Sequence, residues 1–292
     1  IDLVCFYLDD AAQKVIKNKG APGIDGITYE QLPNLLRVHG EKIRQKLKNG
    51  TYIPAPVRRV DIPKPNGGTR MLGIPTLLDR TIQQAIVMTI GDSFEDQFSD
   101  KSYGFREGRN CQQAVQRAQK YIEDGNRWVV EMDLSKFFDR VNHDILMDRV
   151  SRVIDDKAIL KLIRRYLNAG IMEDGLVSPR LEGVPQGSPL SPLLSNIMLT
   201  ELDRELEERG LNHVRYADDC NIYVKSEKAA QRVLTNITKY VEGTLKLRVN
   251  RDKSGTFRPR DSVFLGYTFS KANCTRIIVA QKSVKRLWTK LH

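Results

Sequence analysis

The spacing of apolar positions divides the chain into helical and extended stretches. Leu3, Val4, Phe6, Tyr7, Leu8, Ala11, Val15 and Ile16 recur at mostly helical intervals until Gly20-Ala21-Pro22-Gly23 breaks them, and a second amphipathic helix is expected over 28–48. From 57 to 74 the period shortens. Val57, Val60 and Ile62 run into Pro63-Lys64-Pro65-Asn66-Gly67-Gly68, and Arg70-Met71-Leu72-Gly73-Ile74 resumes an extended run, which predicts a β-hairpin with a Gly-rich tip. Helices follow over 76–94, with Leu77, Ile82, Ala85, Ile86, Met88 and Thr89 inward, and over 111–123.

Trp128-Val129-Val130-Glu131-Met132-Asp133 is mostly apolar and predicts a strand buried within a sheet. Two helices, 143–153 and 157–168, precede the segment Glu182-Gly183-Val184-Pro185-Gln186-Gly187, and Ser191-Pro192 opens a long helix reaching Arg209. Strands at 214–216 and 220–224 flank Ala217-Asp218-Asp219, a helix over 227–242 returns the chain, and late strands are expected over 263–269 and 276–279. Without repeats, low-complexity tracts or an obvious linker, the lobes are expected to interleave in sequence.

At 292 residues with 40% hydrophobic, the chain can bury a substantial core in two lobes. The formal charge of +11 comes from 47 Lys and Arg spread over the whole length, which favours a polyanionic partner over solubility alone. Cys5, Cys111, Cys220 and Cys274 form no C-x-x-C pair and have no nearby histidines, so they read as reduced thiols of a cytoplasmic protein. No apolar run approaches the roughly 20 residues of a membrane span, and no signal peptide opens the chain. The start at Ile1 and the stop inside the basic helical pattern 283–288 read as those of a fragment.

Asp218 and Asp219 are adjacent acids at a predicted hairpin tip, where like charges repel and a bound cation would remove the conflict. Asp133 ends an apolar strand, where an aspartate is costly unless solvated, paired or metal-bound. If the hairpin lies beside that strand, three carboxylates converge. Clustered Asp oxygens suit Mg²⁺, and paired ions about 4 Å apart are the arrangement of two-metal catalysis. Taken alone, each of these acids would more often be a solvated turn or a strand end. The surrounding motifs reverse that judgement.

Tyr216-Ala217-Asp218-Asp219 between two apolar strands resembles the catalytic box of reverse transcriptases, and Glu131-Met132-Asp133-Leu134-Ser135-Lys136-Phe137-Phe138-Asp139 resembles the box carrying their first catalytic acid. Between them, in the right order, 184–197 resembles the family's Q-G-x-x-x-S-P box through Gln186-Gly187 and Ser191-Pro192. Further matches are 58–64, 70–75 with Asp79-Arg80, Ser102-Tyr103-Gly104-Phe105-Arg106, 247–250 with Lys253-Ser254, and Phe264-Leu265-Gly266-Tyr267. The wording is most similar to bacterial group II intron-encoded proteins. It extends to the N-terminal stretch 18–26, which looks like their extension ahead of the fingers.

The resemblance implies an α+β right-hand polymerase fold, with fingers, an antiparallel palm sheet backed by helices, and no thumb. Its fingers would take 1–100 and 141–183, its palm 101–140 and 184–280, and the thumb would begin at 281–292. It implies an RNA-directed DNA polymerase of a mobile group II intron, which joins a primer 3′-hydroxyl to the α-phosphate of a dNTP and whose RNA binding supports splicing and mobility. Two Mg²⁺ ions would be held by Asp133, Asp218 and Asp219 with the carbonyl of Leu134. Lys64, Arg70, Leu134, Phe138 and Gln186 would face the dNTP, Phe138 by stacking under the deoxyribose and excluding a 2′-hydroxyl. Arg58, Arg59, Arg106, Asn250 and Lys253 would face an RNA template and DNA primer, the arginines through phosphates. The partners implied are group II intron RNA, template–primer and dNTPs, with no membrane; homodimerisation is left open. A non-catalytic RNA-binding maturase and a retron-like reverse transcriptase are the alternatives. The intact acids argue against the first and the absence of retron-specific boxes against the second.

Overall fold

The computed structural model describes residues 1–63, 69–173, 175–270 and 275–291. In chain order the helices are α1 (Asp2–Phe6), α2 (Leu8–Lys17), α3 (Leu32–Lys48), α4 (Leu77–Glu95), α5 (Cys111–Glu123), α6 (Phe137–Arg140), α7 (His143–Ser151), α8 (Lys157–Asn168), α9 (Ser191–Glu208), α10 (Glu227–Gly243) and α11 (Gln281–Leu291). The strands are β1 (Val57–Pro63), β2 (Thr69–Ile74), β3 (Trp128–Met132), β4 (Ile171–Glu173), β5 (Leu176–Ser178), β6 (Asn212–Tyr216), β7 (Asp219–Val224), β8 (Gly255–Phe257), β9 (Tyr267–Phe269) and β10 (Ile277–Val279). They fall into two compact units, Ile1–Gln97 with Phe138–Met198 and Phe98–Phe137 with Leu199–His292, so each unit is built from two separate stretches of chain.

The first unit surrounds a mixed sheet of order β2-β1-β4-β5. β1 and β2 form the predicted antiparallel hairpin, with Arg58 opposite Ile74 and Ile62 opposite Arg70, and β4 joins β1 in parallel. A polar node ties α4 to α8 and to the segment 52–55. Asp79, in the first turn of α4, is almost fully buried, and its carboxylate accepts hydrogen bonds from the Thr76 hydroxyl (2.8 Å), Tyr52 (2.8 Å), Tyr166 (3.2 Å) and the Ala55 N–H (3.1 Å). Thr76 also caps the helix by accepting from the Asp79 N–H. Met88 and Thr89, expected inward, are only half-buried, because the α4 stripe runs instead through Ile82, Ala85, Ile86 and Ile90.

The second unit carries an antiparallel sheet of order β6-β7-β3-β8. Val129 and Val130 project to opposite faces of β3 and both are fully buried, so the sheet is covered on both sides. Ala114, Val115, Ala118 and Tyr121 of α5 pack with Val129, Val214 and Tyr223, and α10 also packs against β3. α9 begins in the first unit and ends in the second.

Several expected elements are shorter. The first helix is divided at Tyr7, and α3 starts at Leu32 because 28–31 form a turn closed by the Gln31 N–H on the Thr28 carbonyl. The strand expected over 263–269 is mostly a tight turn. Leu265 and Gly266 take positive φ (52° and 87°), and Phe264 and Tyr267 exchange both backbone hydrogen bonds across them. β4, β5, β8 and α6 went unpredicted, being too short for a periodic signal. Cys5, Cys111 and Cys220 are free thiols, whereas Cys274 and the Gly-rich tip at 64–68 lie outside the described residues. Among the described residues, no helix is long and apolar enough to cross a membrane.

Candidate active site

Sheet register brings the expected acids to one place. β3 pairs with β7 so that Met132 faces Cys220, and one further step along that register sets Asp133 against Asp219 at the same end of the sheet. β6 and β7 are joined by a two-residue turn, Ala217-Asp218, with Tyr216 paired to Asp219. Asp219 reaches solvent, but surrounding protein and the charges of Asp218 and Asp133 push its carboxyl up to about 6. Lys253 is the nearby cation, with its ammonium 3.6 Å from Asp133.

Asp133 is braced through its backbone. Its N–H donates to the Ser254 hydroxyl (3.0 Å), and its carbonyl accepts from the Asn250 N–H (2.8 Å). Leu134 is buried and bridged to Val249, and the Ser135 N–H donates to the Arg248 carbonyl (2.8 Å). Asn250 and Lys253 therefore lie in the segment that fixes the first acid.

Behind the Asp218-Asp219 turn is a feature that the sequence reading missed. Arg215 and Asp203 are both fully buried and joined by two parallel hydrogen bonds, Nε to Oδ1 at 2.8 Å and Nη2 to Oδ2 at 2.6 Å. Burial works against both charges, yet their mutual attraction wins, holding the Asp203 carboxyl below and the Arg215 guanidinium above the usual range. The signal was present: an arginine between Val214 and Tyr216 on a buried strand demands a partner.

Among the described residues no three His, Cys, Asp or Glu side chains form a ready-made metal cage. The donor set nevertheless suits a hard cation. Burial and the neighbouring charges of Asp218 and Asp133 raise Asp219 despite Lys253, and Mg²⁺ typically completes its shell with water and substrate phosphates.

The residues expected around the dNTP belong mostly to the other unit. Phe138 follows the buried Phe137 in α6 and is half-buried, and its carbonyl accepts from the Val184 N–H (2.6 Å). The Gln186 carbonyl accepts from the Gly73 N–H (3.0 Å), which joins the Gln186 turn to β2. Ser191 ties that turn to the start of α9 by donating to the Pro185 carbonyl (2.6 Å). Lys64 and the side chain of Arg70 lie outside the described residues.

Of the expected template arginines, Arg58 and Arg59 border a cleft of about 530 Å³ together with Gly23 and Gly26. Arg59 is paired with Asp61 (3.0 Å) and Glu173 (2.8 Å). Arg106 is buried, donates to the carbonyls of Ser99 (2.6 Å) and Ser102 (2.9 Å), and lies over the Phe98 ring.

Comparison with known proteins agrees with this picture. The family model for the reverse transcriptase (RNA-dependent DNA polymerase) matches residues 62–269. Telomerase from Candida albicans superimposes with a TM-score of 0.58 at 13% identity, over 87% of this chain and 50% of that one, a likeness of fold alone. The fold is thus that of a right-hand polymerase with fingers and palm. Protein YkfC of Escherichia coli (strain K12) is 38% identical over 89% of this chain and 79% of its own length. The group II intron-encoded protein LtrA of Lactococcus lactis subsp. cremoris is 40% identical over 66% of this chain, which covers 32% of that protein. The chain belongs to the reverse transcriptase family, and it is similar to group II intron-encoded proteins.

Proposed function

We propose that the chain is the polymerising core of an RNA-directed DNA polymerase serving a mobile group II intron, and that it binds that intron's RNA in support of splicing and mobility. The observation that carries the reading is the convergence of Asp133 with Asp218 and Asp219 at one end of the palm sheet, where Asp219 is raised despite Lys253 nearby. The unit Phe98–Phe137 with Leu199–His292 is read as palm and the other as fingers. Its free cysteines fit work in the cytoplasm.

Asp133, Asp218 and Asp219, with the Leu134 carbonyl, would hold two magnesium ions. Bound there, they would supply activation of the primer 3′-hydroxyl and charge neutralisation for the departing pyrophosphate. Asn250 and Ser254 keep Asp133 in register through its backbone, and Lys253 lends charge beside it. Gln186 and Phe138 would contact the incoming nucleotide, with Lys64 and Arg70 as cations for its triphosphate. Arg58 offers the cleft it borders to template phosphates, whereas Arg59 would first have to give up Asp61 and Glu173, which line the same cleft. Arg106, spent on two carbonyls, holds its own loop rather than RNA.

The test is extension of a DNA primer on an RNA template with Mg²⁺ and dNTPs, comparing the wild type with Asp218→Asn plus Asp219→Asn. The double variant should lose activity by on the order of a thousand-fold or more. Equal extension by both proteins sinks the assignment, and intron RNA binding without any wild-type extension marks a maturase that does not polymerise. For the sugar gate, Phe138→Val should raise ribonucleotide over deoxyribonucleotide incorporation by roughly tenfold or more, the scale of a steric pocket contact. An unchanged ratio in a single-nucleotide assay removes Phe138 from that role.

A further inference from the structure

We propose that Arg215, clamped by Asp203, is the positioning residue that sets the Asp218-Asp219 turn against Asp133; the proposal rests on those carboxylates being the polymerising site. Arg215 lies three residues before Asp218 and is fully buried. Two of its nitrogens are fixed by Asp203, while Nη1 donates to the carbonyl of Ala217 at 2.9 Å. That carbonyl belongs to the peptide leading into Asp218. Its orientation sets where both acids project.

Ala217 has φ of 56°, a left-handed conformation that an alanine adopts only when its surroundings enforce it. Three contacts do so. Nη1 of Arg215 holds the Ala217 carbonyl from inside the unit. The Tyr103 N–H donates to the Arg215 carbonyl, and the Arg215 N–H donates to that of Lys101, so the segment 101–103 runs along β6 as a brace. Gly104 then backs directly onto the turn, where a Cβ would collide with the Ala217 nitrogen. Asp203 contributes by keeping the guanidinium plane fixed, and His213 stands on the same carboxylate, its Nε2 3.6 Å from Oδ1.

A buried ion pair can often be replaced by apolar residues at little cost in stability, so its presence here calls for another role. Arg215 is the link by which α9, which carries Asp203, fixes the turn on β6 and β7. A purely structural pair would affect folding alone. A positioning pair affects the site while the fold survives.

Arg215→Lys separates the two, because an ammonium still faces Asp203 but cannot hold that carboxylate bidentately and the Ala217 carbonyl together. Primer extension should show kcat falling by roughly 10²-fold, the scale of an ångström misplacement, with the dNTP KM little changed. The half-saturating Mg²⁺ concentration, and the Mn²⁺ dissociation constant read by electron paramagnetic resonance without nucleic acid, should each rise about tenfold. Adding Ala217→Gly should restore part of kcat, since glycine takes positive φ without the clamp. If Arg215→Lys melts well below the wild type, the double variant Asp203→Leu plus Arg215→Met, which leaves no buried charge and no clamp, replaces it under the same criteria. Wild-type kcat and metal binding in a folded variant overturn the proposal, as does a loss that Ala217→Gly leaves untouched. If the wild type extends no primer, the polymerase reading fails, and the Mn²⁺ comparison still decides whether Arg215 positions the acids.

Discussion

Asp203 and Asp219 belong to the same unit and bear on the same hairpin, yet their surroundings are opposite. Asp203 has no exposure at all, and burial alone would raise its carboxyl, but the two-pronged contact with Arg215 keeps it ionised below the ordinary range. Asp219 is open to solvent and still rises to about 6, because surrounding protein, Asp218 and Asp133 all oppose its charge. Asp79 in the other unit also gathers four donors on one carboxylate, but with no cation among them burial still pushes its carboxyl above the usual range. A carboxylate that serves the fold is thus matched with donors whatever its depth. In the candidate site Asp219 instead sits among carboxylates, with Lys253 on Asp133 only partly offsetting them, which is the kind of strongly shifted group that marks a functional-site candidate.

The sharpest way to break this comparison is to remove the matched acid. Asp203→Ala leaves the Arg215 guanidinium buried without its counter-charge, and the expected loss is about 3–5 kcal/mol, read from the shift in urea unfolding midpoint. Replacing both partners, with Asp203→Leu and Arg215→Met, should return most of that stability while leaving the turn unclamped. A single-variant loss below about 1 kcal/mol would show that Asp203 is no more committed to the fold than an exposed acid.

Much of this was legible in the sequence, for reasons that differ by residue. The acids were found because their neighbours form ordered boxes, and β3, β6 and β7 because short apolar runs bounded by turns are strong signals. Alternation identified β1 and β2, but it could not reveal that β4, with only Ile171–Glu173 and no periodic pattern, would join β1 in parallel. The strand expected over 263–269 failed for a local reason, since nothing in Phe264-Leu265-Gly266-Tyr267 distinguishes a strand glycine from one that turns the chain. Arg215 and Asp203 were missed because their partnership spans a helix, a loop and a strand, and only the three-dimensional structure makes them adjacent. Arg106 misled for the opposite reason: in sequence it is one more basic residue near a motif, and in the fold it is enclosed by the carbonyls it serves.

The smallest expected effect tests the other half of the comparison and has the opposite sign. With metal chelated, the Asp219 carboxyl sits at about 6 in the folded chain and near 3.9 when unfolded, so its pKa is raised by folding. Such a group favours the fold most when protonated, below about pH 4, and that contribution is lost as pH rises through about 6. A side-chain amide cannot ionise, so Asp219→Asn should escape the loss. The variant's melting temperature should exceed that of the wild type at pH 7.5, and the gap should close as pH falls toward 4. Solvent screening keeps the difference to a few degrees or less, and Lys253 already offsets part of the repulsion. A wild type that melts higher at pH 7.5, or a gap that ignores pH, would mean that Asp219 is as well matched as Asp203, and that the site's acids are not held in reserve for a cation.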